Sequence, residues 1–108
     1  MAENNSILDK LEGLVSRYEE VGTLITDPNV ISDQKRYVKL TKEYKDLGDI
    51  MKARKEYMDS LQTLQDAKEM LATEDDPEMK EMAREEMATA EKHIPEMEER
   101  IKLSLIHI

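Results

Sequence analysis

The sequence predicts an all-α fold, a three-helix antiparallel bundle with a long coiled-coil-like hairpin. Three observations predict it. Apolar residues recur at spacings of three and four residues along most of the chain, which is the period of a helix. Only three glycines and three prolines interrupt the pattern, so the elements are long and the turns few. Charged residues make up 38% of the chain, which suits thin helical layers that each bury one stripe.

The first helix is predicted to begin at Ser6, whose hydroxyl can cap it, after a flexible start over residues 1–5. Gly13 and Gly22 interrupt the helix, each at a cost of about 1 kcal/mol relative to Ala. Pro28 ends it, because proline cannot continue the hydrogen-bond ladder. The apolar residues form a heptad seam, and they are Ile7, Leu11, Leu14, Tyr18, Val21 and Ile25.

The second helix is predicted to begin at Ser32 or Asp33 and to run without a break until Glu74. It would have about 40 residues and a length of about 60 Å at 1.5 Å per residue. That length exceeds the usual globular helix and indicates a hairpin with the next one. Its predicted buried residues are Tyr37, Leu40, Tyr44, Leu47, Met51, Met58, Leu61, Leu64 and Leu71.

The third helix is predicted to begin after Asp76, a capping residue, with Pro77 at its first position. Pro95 removes one ladder bond and costs about 3 kcal/mol unless a kink absorbs it, so we expect a bend or break between Glu91 and Pro95. The predicted buried residues, mostly Met and Ala, are Met79, Ala83, Met87, Ala90, Ile94, Met97 and Ile101.

Composition excludes several classes of protein. The chain has no Cys, which rules out disulfides, thiolate chemistry and Cys-ligated zinc. No apolar run approaches the roughly 20 residues of a membrane span. The first ten residues lack the basic and apolar regions of a secretory signal. We therefore expect a cytoplasmic protein with no membrane partner.

Charge is unevenly distributed along the chain. The stretch Lys35–Lys55 has eight Lys/Arg against three Asp/Glu, whereas Glu74–Glu99 has eleven Asp/Glu against three Lys/Arg. The basic stretch could contact RNA or pair with the acidic stretch of the same bundle, and we favour the second interpretation. A net charge of −9 makes the chain a poor binder of phosphates. We therefore predict no direct nucleic-acid site.

The search for reactive groups predicts no catalytic, cofactor-binding or metal site, and we expect no enzymatic activity. His93 could join a carboxylate as a metal ligand, but we interpret it as a solvent-exposed helix residue. Adjacent carboxylates such as Glu85 and Glu86 lie on a polar face, where nothing raises their pKa for acid catalysis. Tyr37 and Tyr44 could stack on RNA bases, although packing in the helix seam is the favoured interpretation.

Several motifs, in their order along the chain, resemble the amino-terminal helical domain of the bacterial peptide chain release factor 1 family. The members of this family are class I translation release factors. The resemblance covers about residues 7–103 and includes the Asp-Pro turn at Asp27, the "RYVKLTKEYKDL" run from Arg36 to Leu47 and the "DDPEM" helix start. Two features depart from the family pattern: Pro95, and the tail 104–108, which looks like non-family or truncated sequence. The implied domain is 6–103, within a fragment of a longer factor.

The resemblance implies translation termination. Such factors read UAA or UAG in the ribosomal A site and trigger hydrolysis of peptidyl-tRNA. The family's Pro-x-Thr decoding loop and Gly-Gly-Gln loop lie in other domains, and neither motif occurs here. The implied partners are the ribosome, at the stalk-base GTPase-associated region, and the GTPase that recycles the factor. A glutamine methyltransferase acts on the Gly-Gly-Gln loop of the whole factor. The alternative hypothesis is a free-standing coiled-coil structural or chaperone-like protein.

Overall fold

The computed structural model describes residues 2–107, and the side chains of residues 6–107. It contains four helices, which are α1 (Ala2–Leu24), α2 (Pro28–Ile31), α3 (Gln34–Thr73) and α4 (Pro77–Ile106). No strand occurs between residues 2 and 107. The molecule is a rod of 63 × 24 × 18 Å, in which α1 and α4 both pack along α3. The predicted all-α antiparallel bundle with a long hairpin is confirmed, with one short helix added.

Aspartates cap the helices that follow the turns: Asp76 is the predicted cap, and Asp33 is one of the two residues at which the second helix was predicted to begin. The carboxylate of Asp76 accepts a hydrogen bond of 3.0 Å from the Glu78 amide, and that of Asp33 accepts one of 3.3 Å from the Arg36 amide. The predicted turn after α1 contains α2, which Asp27 caps by accepting from the Asn29 amide at 2.9 Å. The sequence prediction missed this helix, since four residues are too few to show a period.

The start of α1 differs from the prediction. The helix begins at Ala2, so Ser6 lies inside it and is not its cap. No Gly or Pro separates Ala2 from Ser6, so nothing in the local sequence stops the helix from extending backwards. The predicted flexibility of residues 1–5 stays a prediction, and Met1 lies outside the described residues.

The buried face of α3 differs from the predicted seam, because Ile50, Tyr57 and Ala67 are buried although the seam did not include them. Tyr57 is completely buried, whereas the neighbouring Met58, predicted to be buried, is 42% exposed. The Tyr57 hydroxyl donates a hydrogen bond of 2.7 Å to the Glu98 carboxylate of α4. Because α3 packs on α1 as well as α4, its buried surface is wider than a single heptad seam.

Helix α4 continues without interruption through Pro95, so the predicted break does not occur. Pro95 is exposed, and its ring therefore does not displace core side chains. The fixed φ of proline is compatible with a helix, and the carbonyl of the exposed residue Glu91 can be solvated in place of its lost donor. A bend at this point stays a prediction.

The core changes character along the rod. The main cluster has members from α1, α3 and α4, which are Ile7, Leu11, Ile50, Tyr57, Ala90, Ile94 and Ile101. A second cluster of Val21, Val30 and Leu40 lies under α2. Near the α3–α4 turn, the buried residues are Ala67 and Ala83, which belong to neither cluster. The core is therefore thick where α1 is present and thin beyond it.

Candidate docking surface

An arginine clamp joins α1 to α3 and fixes the face that they form together. The Arg17 guanidinium donates to both carboxylate oxygens of Glu43, at 2.6 Å from Nε and 2.7 Å from a terminal nitrogen, and it also pairs with Glu20. The hydrogen bond from Arg17 lowers the pKa of the Glu43 carboxyl below its ordinary range. A fork of two parallel bonds sets orientation as well as distance. It therefore holds α1 in one rotational setting on α3.

Two stacked tyrosines lie next to the clamp. The rings of Tyr18 and Tyr44 are 4.6 Å apart between centroids and nearly parallel, at 9°. Gly22 lets the helices approach here, because a Cβ at that position would lie 3.0 Å from the Tyr44 ring. One face of each ring is therefore covered by the other ring. The structure agrees with the interpretation that Tyr44 packs between helices.

Three lysines surround this stack, and we call them the lysine face: Lys45, Lys52 and Lys55. With Tyr18 and Tyr44 they line a shallow depression of about 380 Å³. Lys55 forms an ion pair of 3.2 Å with Asp59. Lys45 and Lys52 form no ion pair within 4.0 Å among residues 6–107 and are exposed. Two solvated cations beside an aromatic pair make this the candidate contact surface of the α1–α3 side.

The predicted pairing of the basic stretch with the acidic stretch is not found among the described residues. The ion pairs of Lys35–Lys55 lead instead to α1 or to acids on α3 itself, as in Arg54–Glu12 at 2.9 Å. The hairpin register explains this, because the Tyr57–Glu98 bond places Glu74–Glu99 beside the second half of α3. The two stretches therefore lie at different ends of the rod.

The sequence offered one candidate metal ligand, His93. His93 is exposed on α4, and no group of three or more His, Asp or Glu able to hold a metal occurs among these residues. None of the helices described here is long and apolar enough to cross a membrane.

Comparison with known protein families identifies the family to which this chain belongs. A model of the PCRF domain matches residues 14–107. The chain belongs to the PCRF domain family. The match reaches into the tail 104–108, whose predicted non-family origin stays a prediction, with Ile108 outside the described residues.

Curated proteins similar to this chain include several that are named peptide chain release factor 1. Over 106 residues, or 98% of its length, the chain is 63% identical to peptide chain release factor 1 of Bacteroides fragilis. It is 60% identical over the same length to peptide chain release factor 1 of Bacteroides thetaiotaomicron. It is 36% identical over 102 residues to that of Lactobacillus johnsonii. The chain spans 29% of the length of the two Bacteroides proteins. No solved structure matches it.

Proposed function

We propose that the chain serves translation termination as the amino-terminal helical domain of a class I peptide chain release factor. The observation that carries this proposal is the 63% identity, over 98% of the chain, to a protein named peptide chain release factor 1. Family membership over residues 14–107 disfavours the alternative of a free-standing coiled-coil structural or chaperone-like protein.

Within the whole factor, this domain is a docking module without hydrolytic activity. Reading of UAA or UAG and release of the peptide belong to loops elsewhere in the factor, and so does the glutamine that the methyltransferase modifies. The module contacts the ribosome near the stalk-base GTPase-associated region and acts alongside the recycling GTPase, in the cytoplasm. The lysine face supports this role, because Lys45 and Lys52 present solvated cations to an anionic surface.

Co-sedimentation of the 108-residue chain with purified ribosomes tests the docking role. We expect binding that weakens in the Lys45→Glu/Lys52→Glu variant and persists in Lys68→Glu/Lys92→Glu, which changes the net charge equally at exposed sites of the other end. Equal weakening in both variants would show that only net charge matters. Absence of binding by the unmodified chain would contradict the docking role.

A peptide-release assay tests the absence of hydrolysis. Added to a termination complex with UAA in the A site, the chain should release no peptide, while the whole factor should. Release that depends on the stop codon and on this chain alone would overturn that part of the proposal.

A further inference from the structure

One side of the α3–α4 hairpin is covered by α1, and the other side is open. Three adjoining depressions of about 560, 240 and 760 Å³ run along this open side, and none of their lining residues belongs to α1. The first lies closest to the α3–α4 turn, between Ser60 and Thr63 of α3 and the stretch 82–97 of α4. We call this depression the open groove.

The α4 wall of the open groove is a single helical stripe. Its members recur at spacings of three and four, so they share one face for about 22 Å, or about four turns. They are Met82, Glu86, Thr89, His93 and Met97. Met82 is 54% exposed and is the main apolar side chain that this stripe presents to solvent. The opposite wall, Ser60 and Thr63, consists of small side chains that let a third helix come close.

The rim of the groove is acidic. Glu85 and Glu86 line it, and neither forms an ion pair within the part of the chain that the structure describes. The net charge of the surrounding residues is also negative, since residues 57–99 contain fourteen Asp/Glu against four Lys/Arg. Such a field repels phosphates and anionic lipid surfaces and attracts cationic partners. The charge therefore selects a basic polypeptide over nucleic acid or membrane.

We propose that the open groove binds a basic amphipathic helix of a protein partner. Its apolar stripe would cover Met82 and the exposed part of Met97, and its Lys or Arg side chains would flank the stripe and pair with Glu85 and Glu86. The bound helix would give this end of the rod the third layer that α1 supplies at the other end. The open groove shares no lining residue with the lysine face, so the inference goes beyond the proposed docking on the ribosome.

A synthetic peptide of about 18 residues, long enough to cover the groove as a helix, is the probe. It carries Leu at spacings of three and four, with Lys and Arg on both sides of that stripe. A scrambled peptide of the same composition, which has the same charge but no stripe, is the control. Binding to the 108-residue chain is measured by fluorescence anisotropy and mapped by NMR shifts of backbone amides.

We expect the patterned peptide to bind, and to shift the amides of Ser60, Thr63 and His93. Glu85→Lys/Glu86→Lys should weaken binding by about tenfold or more. The matched control Glu91→Lys/Glu99→Lys changes the net charge equally at exposed α4 positions outside the groove, and it should weaken binding much less. Met82→Asp removes the apolar contact but adds a negative charge. Weaker binding of the patterned peptide to this variant is therefore expected and would be due to the lost apolar contact. All these positions are exposed, so the variants should keep the fold, which circular dichroism verifies.

Four outcomes would overturn the proposal. Equal binding of the scrambled peptide, or equal weakening in both charge variants, would mean general attraction to an acidic protein. Shifts confined to residues outside the groove would place the peptide elsewhere. Self-association of the chain through Met82 and its neighbours, detected by sedimentation and abolished by Met82→Asp, would identify a second copy as the occupant instead.

Discussion

Around Tyr57 three helices meet, whereas near the α3–α4 turn two helices pack only on each other. The first region buries a whole tyrosine at 0% exposure, and the second buries nothing larger than Ala67 and Ala83. A third helix covers the flank that a pair leaves open, so a large side chain can be removed from water completely. Two helices alone can fully cover only short side chains at their line of closest contact. Burial of apolar area therefore stabilises the region around Tyr57 more than the region near the α3–α4 turn.

The largest expected effect comes from Tyr57. Tyr57→Ala removes a buried aromatic ring and the bond to Glu98, and should lower the free energy of unfolding by about 3–5 kcal/mol. Met58→Ala is the matched control, because that side chain is 42% exposed and should change stability by about 0.5 kcal/mol or less. Urea unfolding measures both. Similar losses of unfolding free energy in the two variants would show that the buried residue of the three-helix region contributes no more to stability than its exposed neighbour.

Overpacking tests the thin region. Ala83→Leu inserts a larger side chain where the residue is 1% exposed, and should cost about 1–3 kcal/mol. Ala88→Leu, on the exposed face of the same helix, is the control and should be nearly neutral. Hydrogen exchange locates the damage, which we expect between residues 64 and 90. Equally accelerated exchange around Leu11 and Ile50 would show that the two regions unfold as one unit.

The two glycines of α1 test how closely the third layer approaches. A methyl group added at Gly13 would meet no neighbouring atom within 4 Å, so Gly13→Ala should gain up to about 1 kcal/mol from helix propensity alone. In Gly22→Ala the new methyl group meets the Tyr44 ring at 3.0 Å, and that ring is held by its stack with Tyr18. The gain should be reduced or reversed. A higher Tm for Gly22→Ala than for Gly13→Ala in thermal unfolding would refute the close approach of α1 to α3 at Gly22.

Acid should weaken the α1–α3 contact slightly. Because Arg17 lowers the pKa of Glu43 in the folded state, this pair stabilises the fold above the carboxyl's ordinary pKa of 4.5, and the contribution is lost as pH falls through the lower folded value. Both side chains are partly exposed, so the effect is small. Glu43→Gln should flatten the fall of Tm below about pH 4.5. Arg17→Gln should flatten it equally; an unchanged profile in either variant would contradict the coupling.

Local signals in the sequence predicted much of this fold. Asp76 caps as expected and the second helix begins after one of its two predicted starts, Asp33, because capping depends on the residue and its next three neighbours. The burial of Tyr57 over Met58 could not be predicted in the same way. Helix α3 contacts two partners, and its heptad pattern does not reveal which of two adjacent apolar residues lies between them.

The candidate surfaces depend on long-range geometry. The two stretches of opposite charge were visible in the sequence, but their separation depends on the hairpin register set at Tyr57 and Glu98. The open groove depends on the side of α3 and α4 that α1 leaves uncovered, which no local motif encodes. The lysines of the lysine face were visible as part of Lys35–Lys55. Their position beside the Tyr18–Tyr44 stack required the helix packing.

The uneven charge has a consequence for how the rod moves near other macromolecules. Residues 57–99 carry a net charge of −10, whereas the rest of the chain is nearly neutral, so the centre of charge lies well away from the centre of mass. Close to a polyanion, repulsion acts on one end and exerts a torque that turns that end outward. At physiological ionic strength the field extends only about 8 Å, much less than the 63 Å length, so the two ends respond separately. The molecule is thus aligned during the last nanometre of approach, before any specific contact forms.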